Sequence, residues 1–299
     1  MALDQMARYW ATVPFRVEVA TDIAACALTV PIQEETWGGD VIVPPQLLLA
    51  SAHNGGFVAI GYVEGDARPA GFVFGFLGIY DYHFRHHSHM LAVRPEHRGS
   101  GLALALKEAQ RDHCLDQGIE IMAWTMDPLE ALNARFNFGK LGAYAREYHR
   151  DFYGEMPDRL NAGLPSDRFY VEWPIGMDRT YQRLRGETGP PALEDALREE
   201  IRLLLRSDGD RPVLADPPSG ESHLLVEIPA DFQRVKRGDA TLALEWRIAA
   251  RAAFEGAFAE GYAAVEFLRG NDGRGAYLLV PQPQRVRPDP ATPGPGEPQ

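Results

Sequence analysis

The sequence predicts an α/β fold, and three observations carry that prediction. Segments with apolar residues at every second position alternate along the chain with segments whose apolar residues recur every three or four positions. One strand-like segment ends at Pro95 and leads through a glycine-containing turn directly into a helical segment. The 299 residues are 45% hydrophobic and 24% charged, which is an ordinary globular composition with enough chain for a sizeable core.

The N-terminal part of the chain predicts one strand and two helices. After a lead-in of residues 1–14, the alternation over residues 15–19 indicates a first strand. Thr21-Asp22 can cap a helix that runs through residue 30 and ends at the glycines of residues 37–40. Pro44-Pro45 suits the start of a second helix, over residues 46–52, which the Asn-Gly-Gly sequence at 54–56 ends.

The middle of the chain predicts three strands, a helix, a strand and a helix. Residues 57–63 and 71–80 read as two strands around a turn at 64–66, and the strand that ends at Pro95 follows them. A helix over residues 100–117 ends at Gly118, and residues 119–126 form the next strand. Asp127 and Pro128 are suited to begin a helix over residues 129–141, and residues 168–173 read as a last strand.

The turn after Pro95 is the most informative stretch, because it reads Arg-Gly-Ser-Gly-Leu-Ala over residues 98–103. The first N–H groups of a helix lack intrahelical partners, and the helix dipole favours negative charge beside them. Gly99 and Gly101 let the backbone approach a phosphate closely or adopt positive φ. Arg98 adds a cation with a fork of donors. The stretch therefore predicts a phosphate-binding site, and it lacks the Gly-Lys-Ser/Thr of a nucleotide-binding P-loop.

This stretch resembles motif A of the GNAT (GCN5-related) N-acyltransferase superfamily, whose pattern is Arg or Gln, two residues, Gly, one residue, and Gly or Ala. Arg98, Gly101 and Ala103 occupy those places. A second resemblance lies over residues 133–143, where the family commonly has an Asn and an Ala followed by Tyr-x-Lys-x-Gly. Phe138, Lys140 and Gly142 fill the last three of those places here. The resemblance covers residues 15–176.

The resemblance implies a GNAT core with a central mixed, mostly antiparallel sheet flanked by helices. It also implies an acyl-CoA co-substrate, acetyl-CoA or succinyl-CoA, whose thioester an amine attacks directly. Backbone N–H groups of residues 90–93 would then stabilise the oxyanion. The residues that it assigns to binding of the acyl-CoA are Leu91, Ala92, Val93, Arg98, Gly99, Ser100, Gly101, Leu102, Ala103 and Asn133. Asn133 could equally be an exposed polar residue of its helix.

Two catalytic groups are proposed from the sequence, and both leave alternatives open. His89 is the first candidate for general base, with His87 second, because each lies beside the oxyanion donors and a neutral imidazole can accept a proton. Packing or surface roles are the alternative for both. The family's tyrosine acid is replaced by Phe138, which has no proton to give. Tyr144 is therefore the candidate acid, with Tyr148 beside it.

Charged side chains suggest further binding roles. A carboxylate on an amino acid or on a dicarboxylic acyl group could be bound by arginines, and the candidates are Arg85, Arg135, Arg146, Arg150 and Arg168. The stretch over residues 85–98, which is rich in arginine and histidine, is the place where a local basic patch could form. A metal site at the histidines of residues 83–89 is not favoured, because no cysteine or acidic residue is spaced to complete it.

The C-terminal part differs in character from the first 176 residues. Residues 177–220 are rich in proline, glycine and charge and are predicted to be a connector, with a charged helix from residue 193 to about 206. Residues 221–280 predict a small α/β extension. We expect it to pack on the core or on a partner subunit, because Trp246, Phe254 and Phe258 require burial. The proline-rich tail, residues 281–299, is predicted to be disordered.

Composition excludes several classes of function. The formal net charge of −12 argues against a general nucleic-acid binder. Cys26 and Cys114 are the only cysteines, so no disulfide framework is expected. No apolar run is long enough to span a membrane, and no signal-peptide pattern begins the chain. We therefore predict a cytoplasmic protein without a metal or a membrane partner. Family members are often dimers, which implies a homodimer.

Three stretches, residues 88–99, 124–143 and 226–232, resemble a bacterial GNAT subgroup that has a C-terminal extension and is linked with N-acylamino acid metabolism, including N-succinylation. The sequence thus predicts an acyl-CoA-dependent N-acyltransferase that acts on a small amine, plausibly an amino acid. The alternative is a non-catalytic module that binds acyl-CoA as a sensor or scaffold, which the phenylalanine at position 138 keeps open.

Overall fold

A computed structural model describes residues 15–39, 41–156 and 162–281 of the chain. Within them, twelve strands form one sheet. In chain order the strands are β1 (Phe15–Val19), β2 (Phe57–Val63), β3 (Gly71–Tyr80), β4 (His83–Val93), β5 (Ile121–Met126), β6 (Tyr144–His149), β7 (Arg168–Pro174), β8 (Arg202–Asp208), β9 (Arg211–Leu214), β10 (Leu224–Ile228), β11 (Tyr262–Arg269) and β12 (Gly275–Pro281).

Helices lie on both faces of this sheet. In chain order they are α1 (Ile23–Ala27), α2 (Val30–Trp37), α3 (Pro45–Ala52), α4 (Leu102–Asp116), α5 (Ala131–Ala134), α6 (Asp178–Leu184), α7 (Leu193–Arg198), α8 (Phe232–Gly238) and α9 (Ala240–Ala259). A 3₁₀ turn at Pro95–His97 precedes α4, and a π-helix at Arg135–Lys140 continues α5. The predicted lead-in and nearly all of the predicted tail lie outside the described residues.

The sheet is mixed and mostly antiparallel, which confirms the predicted fold class. Its strand order is β1-β2-β3-β4-β5-β7-β6-β11-β12-β10-β8-β9. Only the β4–β5 and β8–β10 pairs are parallel among the described strands. The long α4 crosses one face between β4 and β5, since a parallel pair needs a crossover connection.

Most of the predicted elements are found near their predicted bounds, and local signals explain the helix starts. Asp22 caps α1 as predicted, with its side chain accepting a hydrogen bond of 2.8 Å from the N–H of Ala25. The single predicted first helix is divided into α1 and α2, because Pro31 begins a second helix. The predicted helix over residues 129–141 is a short α-helix followed by the π-helix.

The predicted connector, residues 177–220, is largely regular structure. It contains α6 and α7, followed by β8 and β9, and the predicted charged helix ends at Arg198 because residues 202–208 form a strand. Leu204 and Leu205 of that strand are buried in the core. Its prolines and glycines mark turns between short elements. β6, which was not predicted from the sequence, lies between β7 and β11.

The C-terminal strands continue the sheet of the N-terminal part through β6. The pairing of β6 with β11 brings Ala145 opposite Ala264. On one face, α9 presents a stripe at helical spacing that includes Trp246 and Phe254, both buried. Phe254 lies 4.6 Å from Phe169 of β7 between ring centroids, in an edge-on contact. The extension therefore shares one apolar core with the rest of the chain, as its large apolar residues led us to expect.

A buried ionic network also joins the two parts. Asp127, directly after β5, accepts hydrogen bonds of 2.8 and 2.5 Å from the two terminal nitrogens of Arg247 on α9. Burial alone would raise the pKa of Asp127, but the charge of Arg247 outweighs it and lowers that pKa. Arg251, one turn later, binds both carboxylate oxygens of Asp167 at 2.9 and 2.8 Å. These two pairs fix α9 against the core.

Candidate functional site

The sheet opens between β4 and β5. Their pairing is limited to His86 with Met122 and His87 with Ala123. Beyond these pairs, residues 88–93 of β4 stay paired with β3 and have no partner on β5. Along that side of β4, backbone N–H and C=O groups can bond to an extended ligand as they would to an added strand. The opening is therefore a candidate site for an elongated molecule.

β4 carries a bulge at the start of this opening. Its register with β3 skips one residue between Ser88 and Met90, so that His89 is the extra residue. Bulges next to functional sites re-aim side chains and backbone groups. His89 is exposed, and the centroid of its ring lies 5.9 Å from that of Phe74 and 5.8 Å from that of Phe76. The structure thus places the predicted base at the start of the opening.

A turn formed by two glycines connects the far end of β4 to α4. Gly99 and Gly101 have φ values of +77° and +103°, which other residues rarely adopt. Gly101 directly precedes Leu102, the first residue of α4. The N–H groups of Gly99, Gly101 and Ala103 donate to no other described residue. These N–H groups at a helix N-terminus can bind an anion such as a phosphate.

Local contacts hold this turn in place. Arg94 is buried, pairs with Glu35 of α2, and its Nε donates a 2.7 Å hydrogen bond to the carbonyl oxygen of Pro69. The N–H of Leu102 donates to Ser100 Oγ at 3.2 Å. The turn is therefore fixed from both sides before any ligand binds, which lowers the entropic cost of binding.

Arg98 is exposed beside the turn, and its Nε donates a 3.2 Å hydrogen bond to the carbonyl oxygen of Val93. The other guanidinium nitrogens can face a phosphate. We expect Arg98→Ala to weaken CoA binding by roughly 1.5–3 kcal/mol, the range of a hydrogen bond to a charged group. Calorimetric titration with CoA measures the change. Arg98→Lys keeps the charge without the fork and should lose less, whereas equal CoA affinity of Arg98→Ala and the unaltered protein would contradict the assignment.

Burial favours the uncharged form of three histidines of β4, His86, His87 and His89. Burial, and then the charge of Lys107, lowers the pKa of His86 to about 3. Burial, followed by the charges of His89 and Lys107, lowers the pKa of His87 to about 4. Partial burial also lowers the pKa of His89. Each of these imidazoles is therefore in the neutral form that a base requires, but the low pKa values of His86 and His87 make these two weak bases.

The predicted basic patch over residues 85–98 is not formed. Arg85 is buried and pairs with Glu172 of β7, and Arg94 pairs with Glu35. Arg98 is the arginine of this stretch that has no carboxylate partner among the described residues. Attraction of an anionic ligand to this region must therefore depend on the turn and Arg98.

Most of the other arginines considered as carboxylate ligands are also paired. Arg150 binds Glu255 through two hydrogen bonds, and Arg168 donates to the carbonyl oxygen of Asp167 at 2.8 Å. Arg146 donates to Glu172 Oε2 at 2.7 Å and is partly exposed. Arg135 is exposed on the π-helix. Arg135 is thus the candidate with no carboxylate partner among the described residues, whereas Arg146 and the more exposed Arg150 are each paired with a glutamate.

An open polar face lies beside the opening, on the side of the sheet where α1–α3 cover β1–β4. Directly paired residues share a face, so Glu172, which pairs with Ala123, lies on the same face as His87. Tyr80 stacks on Tyr170 at 4.8 Å and donates a 2.6 Å hydrogen bond to Glu147. This face can receive a small polar acceptor next to His87 and His89.

The structure does not bring the predicted acids to the opening. Tyr144 pairs with Glu172, Glu172 with Ala123, and Ala123 with His87. This row places Tyr144 three strands, about 14 Å, from β4. Tyr148 donates its hydroxyl proton to Asp167 and is held there, with its pKa raised by burial and by that carboxylate. Neither tyrosine is in a position to protonate a group in the opening.

Phe138, which occupies the family's tyrosine position, is a core residue. It is fully buried, and its ring lies 5.1 Å from Tyr277 and 6.2 Å from Phe169 between centroids. Tyr277 donates its own hydroxyl proton to the carbonyl oxygen of Pro128 at 2.8 Å. The C-terminal extension therefore fills the space around Phe138 with apolar contacts.

The predicted ligand-binding residues fall into two places. Leu91, Ala92 and Val93 lie along the opening on β4, and residues 98–103 form the turn and the first residues of α4. The structure brings these two groups together, end to end. Asn133 is exposed on α5, the helix after β5, and its role stays a prediction.

Sequence reasoning missed Lys107, which is buried beside the opening. Its Nζ donates a 2.7 Å hydrogen bond to Ser88 Oγ and lies 3.9 Å from the centroid of the Trp124 ring. A signal was available, because the buried stripe of α4 carries Lys107 and Gln110 among apolar residues. Polar residues on an apolar stripe indicate a buried polar network.

The described part of the chain holds neither a cluster of metal ligands nor a helix suited to a membrane. No group of three or more histidine, cysteine, aspartate or glutamate residues there is arranged to hold a metal ion. No helix there is both long and apolar enough to cross a membrane.

Comparison with known proteins agrees with this geometry. Residues 22–142 match the model of the acetyltransferase (GNAT) family, which confirms the resemblance of the two motifs. No curated protein matches the chain.

Several solved structures are similar to this chain. The ribosomal-protein-S18-alanine N-acetyltransferase of Escherichia coli is 15% identical, covers 55% of this chain and 96% of its own length, and gives a TM-score of 0.43. A protein of the GNAT family from Desulfovibrio desulfuricans is 18% identical, covers 55% of this chain and 100% of its own length, and gives a TM-score of 0.42. The yncA protein of Salmonella typhimurium, solved with its cofactor acetyl-CoA, is 20% identical to this chain. It covers 54% of this chain and 94% of its own length, with a TM-score of 0.41.

Proposed function

We propose that this chain, whose residues 22–142 are an acetyltransferase domain of the GNAT family, transfers an acyl group from acyl-CoA to the amine of a small acceptor. One observation carries the proposal. The unpaired side of β4 leads directly into a helix N-terminus with three N–H groups that donate to no other described residue. An extended arm with a phosphate at its end, as in CoA, fits that arrangement.

The chain's own groups then have distinct tasks. The turn at Gly99–Gly101 and Arg98 bind the pyrophosphate, and the pantetheine arm bonds to the open side of β4. Backbone N–H groups of residues 90–93 stabilise the oxyanion that forms when the amine attacks the thioester carbonyl. His89, neutral and exposed at the bulge, accepts the proton of the amine directly or through water, with His87 as second candidate.

The acyl group that we propose first is acetyl. Succinyl transfer, which the subgroup resemblance suggested, needs a cation for a second carboxylate, and the arginine candidates Arg85, Arg150 and Arg168 are already paired or bonded within the chain. Arg135 is the exposed arginine on the π-helix after β5 and could serve a succinyl group. The two acyl donors are therefore to be compared directly.

The acceptor that we propose is an amino acid. Arg146 stands on the open face with one terminal nitrogen bound to Glu172, and its remaining N–H groups can hold a carboxylate. Cytoplasmic location and a homodimer stay predictions from the sequence.

A panel of acyl donors and amines tests the function. We expect thiol release from acetyl-CoA with an amino acid, at higher kcat/KM than with the matching amino acid amide, and lower kcat/KM with succinyl-CoA. A preference for succinyl-CoA would overturn the acetyl assignment, and a preference for polyamines would overturn the amino acid assignment.

The same panel addresses a second candidate, a non-catalytic acyl-CoA-binding module. Phe138 favours it, because a buried phenylalanine cannot supply a proton to the leaving thiolate. CoA binding without turnover of any amine would support the module. Failure to bind CoA at all would contradict both functions.

A further inference from the structure

We infer that Lys107 is the proton donor to the sulfur of CoA when the thioester is cleaved. The inference rests on the proposed function, since it concerns the leaving group of that reaction. Phe138, Tyr144 and Tyr148 are each unable to serve, by chemistry or by position. Lys107 lies on α4, on the face of the sheet opposite to His87 and His89.

The position of Lys107 coincides with the point where the strands separate. Its Nζ bonds to Ser88 on β4 and lies over the ring of Trp124 on β5. Ser88 and Trp124 are the first residues after the last pair of the ladder, His87 with Ala123. The side-chain nitrogen of Lys107 therefore lies over the gap between β4 and β5, at the closed end of the opening. The bulge with His89 and the oxyanion donors is beside it.

The hydrogen bonds around Nζ leave donors available. Ser88 Oγ accepts from Lys107 and donates its own proton to Gln110 Oε1 at 2.7 Å. Gln110 Nε2 in turn lies 3.0 Å from His86 Nε2. Among the described residues, Ser88 is the hydrogen-bond acceptor that Lys107 has, although an ammonium carries three N–H donors. A thiolate in the opening would supply the missing acceptor and countercharge.

The charge state of Lys107 suits a donor. Burial lowers the pKa of Lys107 to about 7. The titratable groups on its own side of the sheet are His86 on β4 and Cys114 on α4, and the charge of Lys107 also acts on His87, which lies on the other face of β4. His86 and His87 have pKa values of about 3 and 4, and burial raises the pKa of Cys114 to about 12. Of these four groups, only Lys107 changes its charge between pH 5 and pH 9.

The reaction balances with this assignment. The amine nitrogen bonds to the carbonyl carbon, and the carbonyl electron pair moves to oxygen. When the carbonyl re-forms, the C–S bond breaks and its electron pair stays on sulfur. The ammonium of Lys107 gives its proton to that sulfur and becomes a neutral amine, the form that burial favours. The proton lost by the acceptor amine goes to His89 or to water, and solvent reprotonates Lys107 after CoA leaves.

A first test needs no acceptor amine, because it follows the thiol of bound CoA. The ultraviolet absorbance of the thiolate, measured against pH in the protein–CoA complex, gives its pKa. We expect Lys107 to lower it from the ordinary value of about 8.5 by roughly one unit, the low end of the effect of a close opposite charge, so that the sulfur stays more basic than the amine of Lys107 and can take its proton. Lys107→Met should abolish this lowering, and Lys107→Arg should keep it. Lys140→Met is the matched control, since Lys140 is half-buried on the π-helix.

A second test uses turnover of acetyl-CoA with the best amine of the panel. Loss of a general acid should reduce kcat of Lys107→Met roughly 10²- to 10⁴-fold. KM for acetyl-CoA should change less than about threefold, because the lost interaction forms in the transition state. The fall of kcat above about pH 7 should disappear in this variant.

The outcomes separate the two proposals. Equal thiol pKa values and equal pH profiles in Lys107→Met and the unaltered protein, with both folded by circular dichroism, would overturn the role of Lys107 and leave the acyltransferase intact. Absence of CoA binding by the unaltered protein would overturn the proposed function and this inference with it. Reduced kcat with an unchanged pH profile would indicate a packing role and also contradict the inference.

Discussion

Gly101→Val is expected to abolish CoA binding while the chain stays folded. Gly101 has a φ of +103°, which valine adopts only with strain of roughly 1–3 kcal/mol. Relief of that strain rotates the N–H groups of the turn away from a bound phosphate. Loss of two or more hydrogen bonds to a charged group, each about 1.5–3 kcal/mol, weakens binding by at least about 100-fold.

Calorimetric titration with CoA measures this effect, and thermal unfolding reports the fold. Gly118→Val is the matched control, because Gly118 has a φ of +72° at the opposite end of α4 and its added Cβ meets open space. Both variants carry similar backbone strain, and only Gly101→Val should lose CoA. Comparable CoA affinity in the two variants would show that the turn does not hold the phosphate.

Asp127→Ala is expected to have the largest effect on stability. The variant leaves the guanidinium of Arg247, whose side chain is 2% exposed, without its bidentate carboxylate. Removing one member of a buried ion pair costs about 3–5 kcal/mol, since a buried charge remains uncompensated. At roughly 2–4 °C per kcal/mol, the midpoint of thermal unfolding should fall by about 6–20 °C.

Asp195→Ala tests whether burial is the cause. Asp195 also pairs with an arginine, Arg198, but both side chains are largely exposed. An exposed pair contributes about 0–1 kcal/mol, so its loss should leave the unfolding midpoint nearly unchanged. If Asp127→Ala unfolds at the same temperature as Asp195→Ala, the network between β5 and α9 does not stabilise the junction of core and extension.

Local signals were sufficient for much of the fold and for the turn. Asp22 as a helix cap and the glycines around Ser100 are read from neighbours within four residues, so the sequence reports them directly. β2 and β3 are long, apolar and separated by a turn. The phosphate-binding turn was predictable for the same reason, because its geometry depends on adjacent residues.

Pairing between distant segments could not be read from the sequence. β8 was predicted as the end of a charged helix, yet pairing with β10 makes it a strand. Strand β6 is short and polar, and it is a strand because β7 and β11 lie on either side of it. Tertiary contacts outweighed local propensity in both segments.

Contacts between distant segments also determine which residues reach the candidate site, and these could not be predicted from the sequence. Arg85 and Glu172 are 87 residues apart in sequence, so their pairing, which removes Arg85 as a ligand, was invisible before the fold was known. The position of Tyr144 depended on β7 lying between β5 and β6. The position of Lys107 on the apolar stripe of α4 can be read from the sequence. Its contacts with Ser88 on β4 and Trp124 on β5 depend on the strand order of the sheet and cannot.

The two edge strands of the twelve-stranded sheet affect how readily the protein aggregates. An edge strand presents unpaired backbone groups that can recruit another chain. Among the described residues the edges are β1 and β9. β9 has only four residues, and its Pro212 lacks an N–H, while β1 carries the exposed charges of Arg16 and Glu18. Because β11 covers β6, the long sheet ends in two strands that are poor templates for fibril growth.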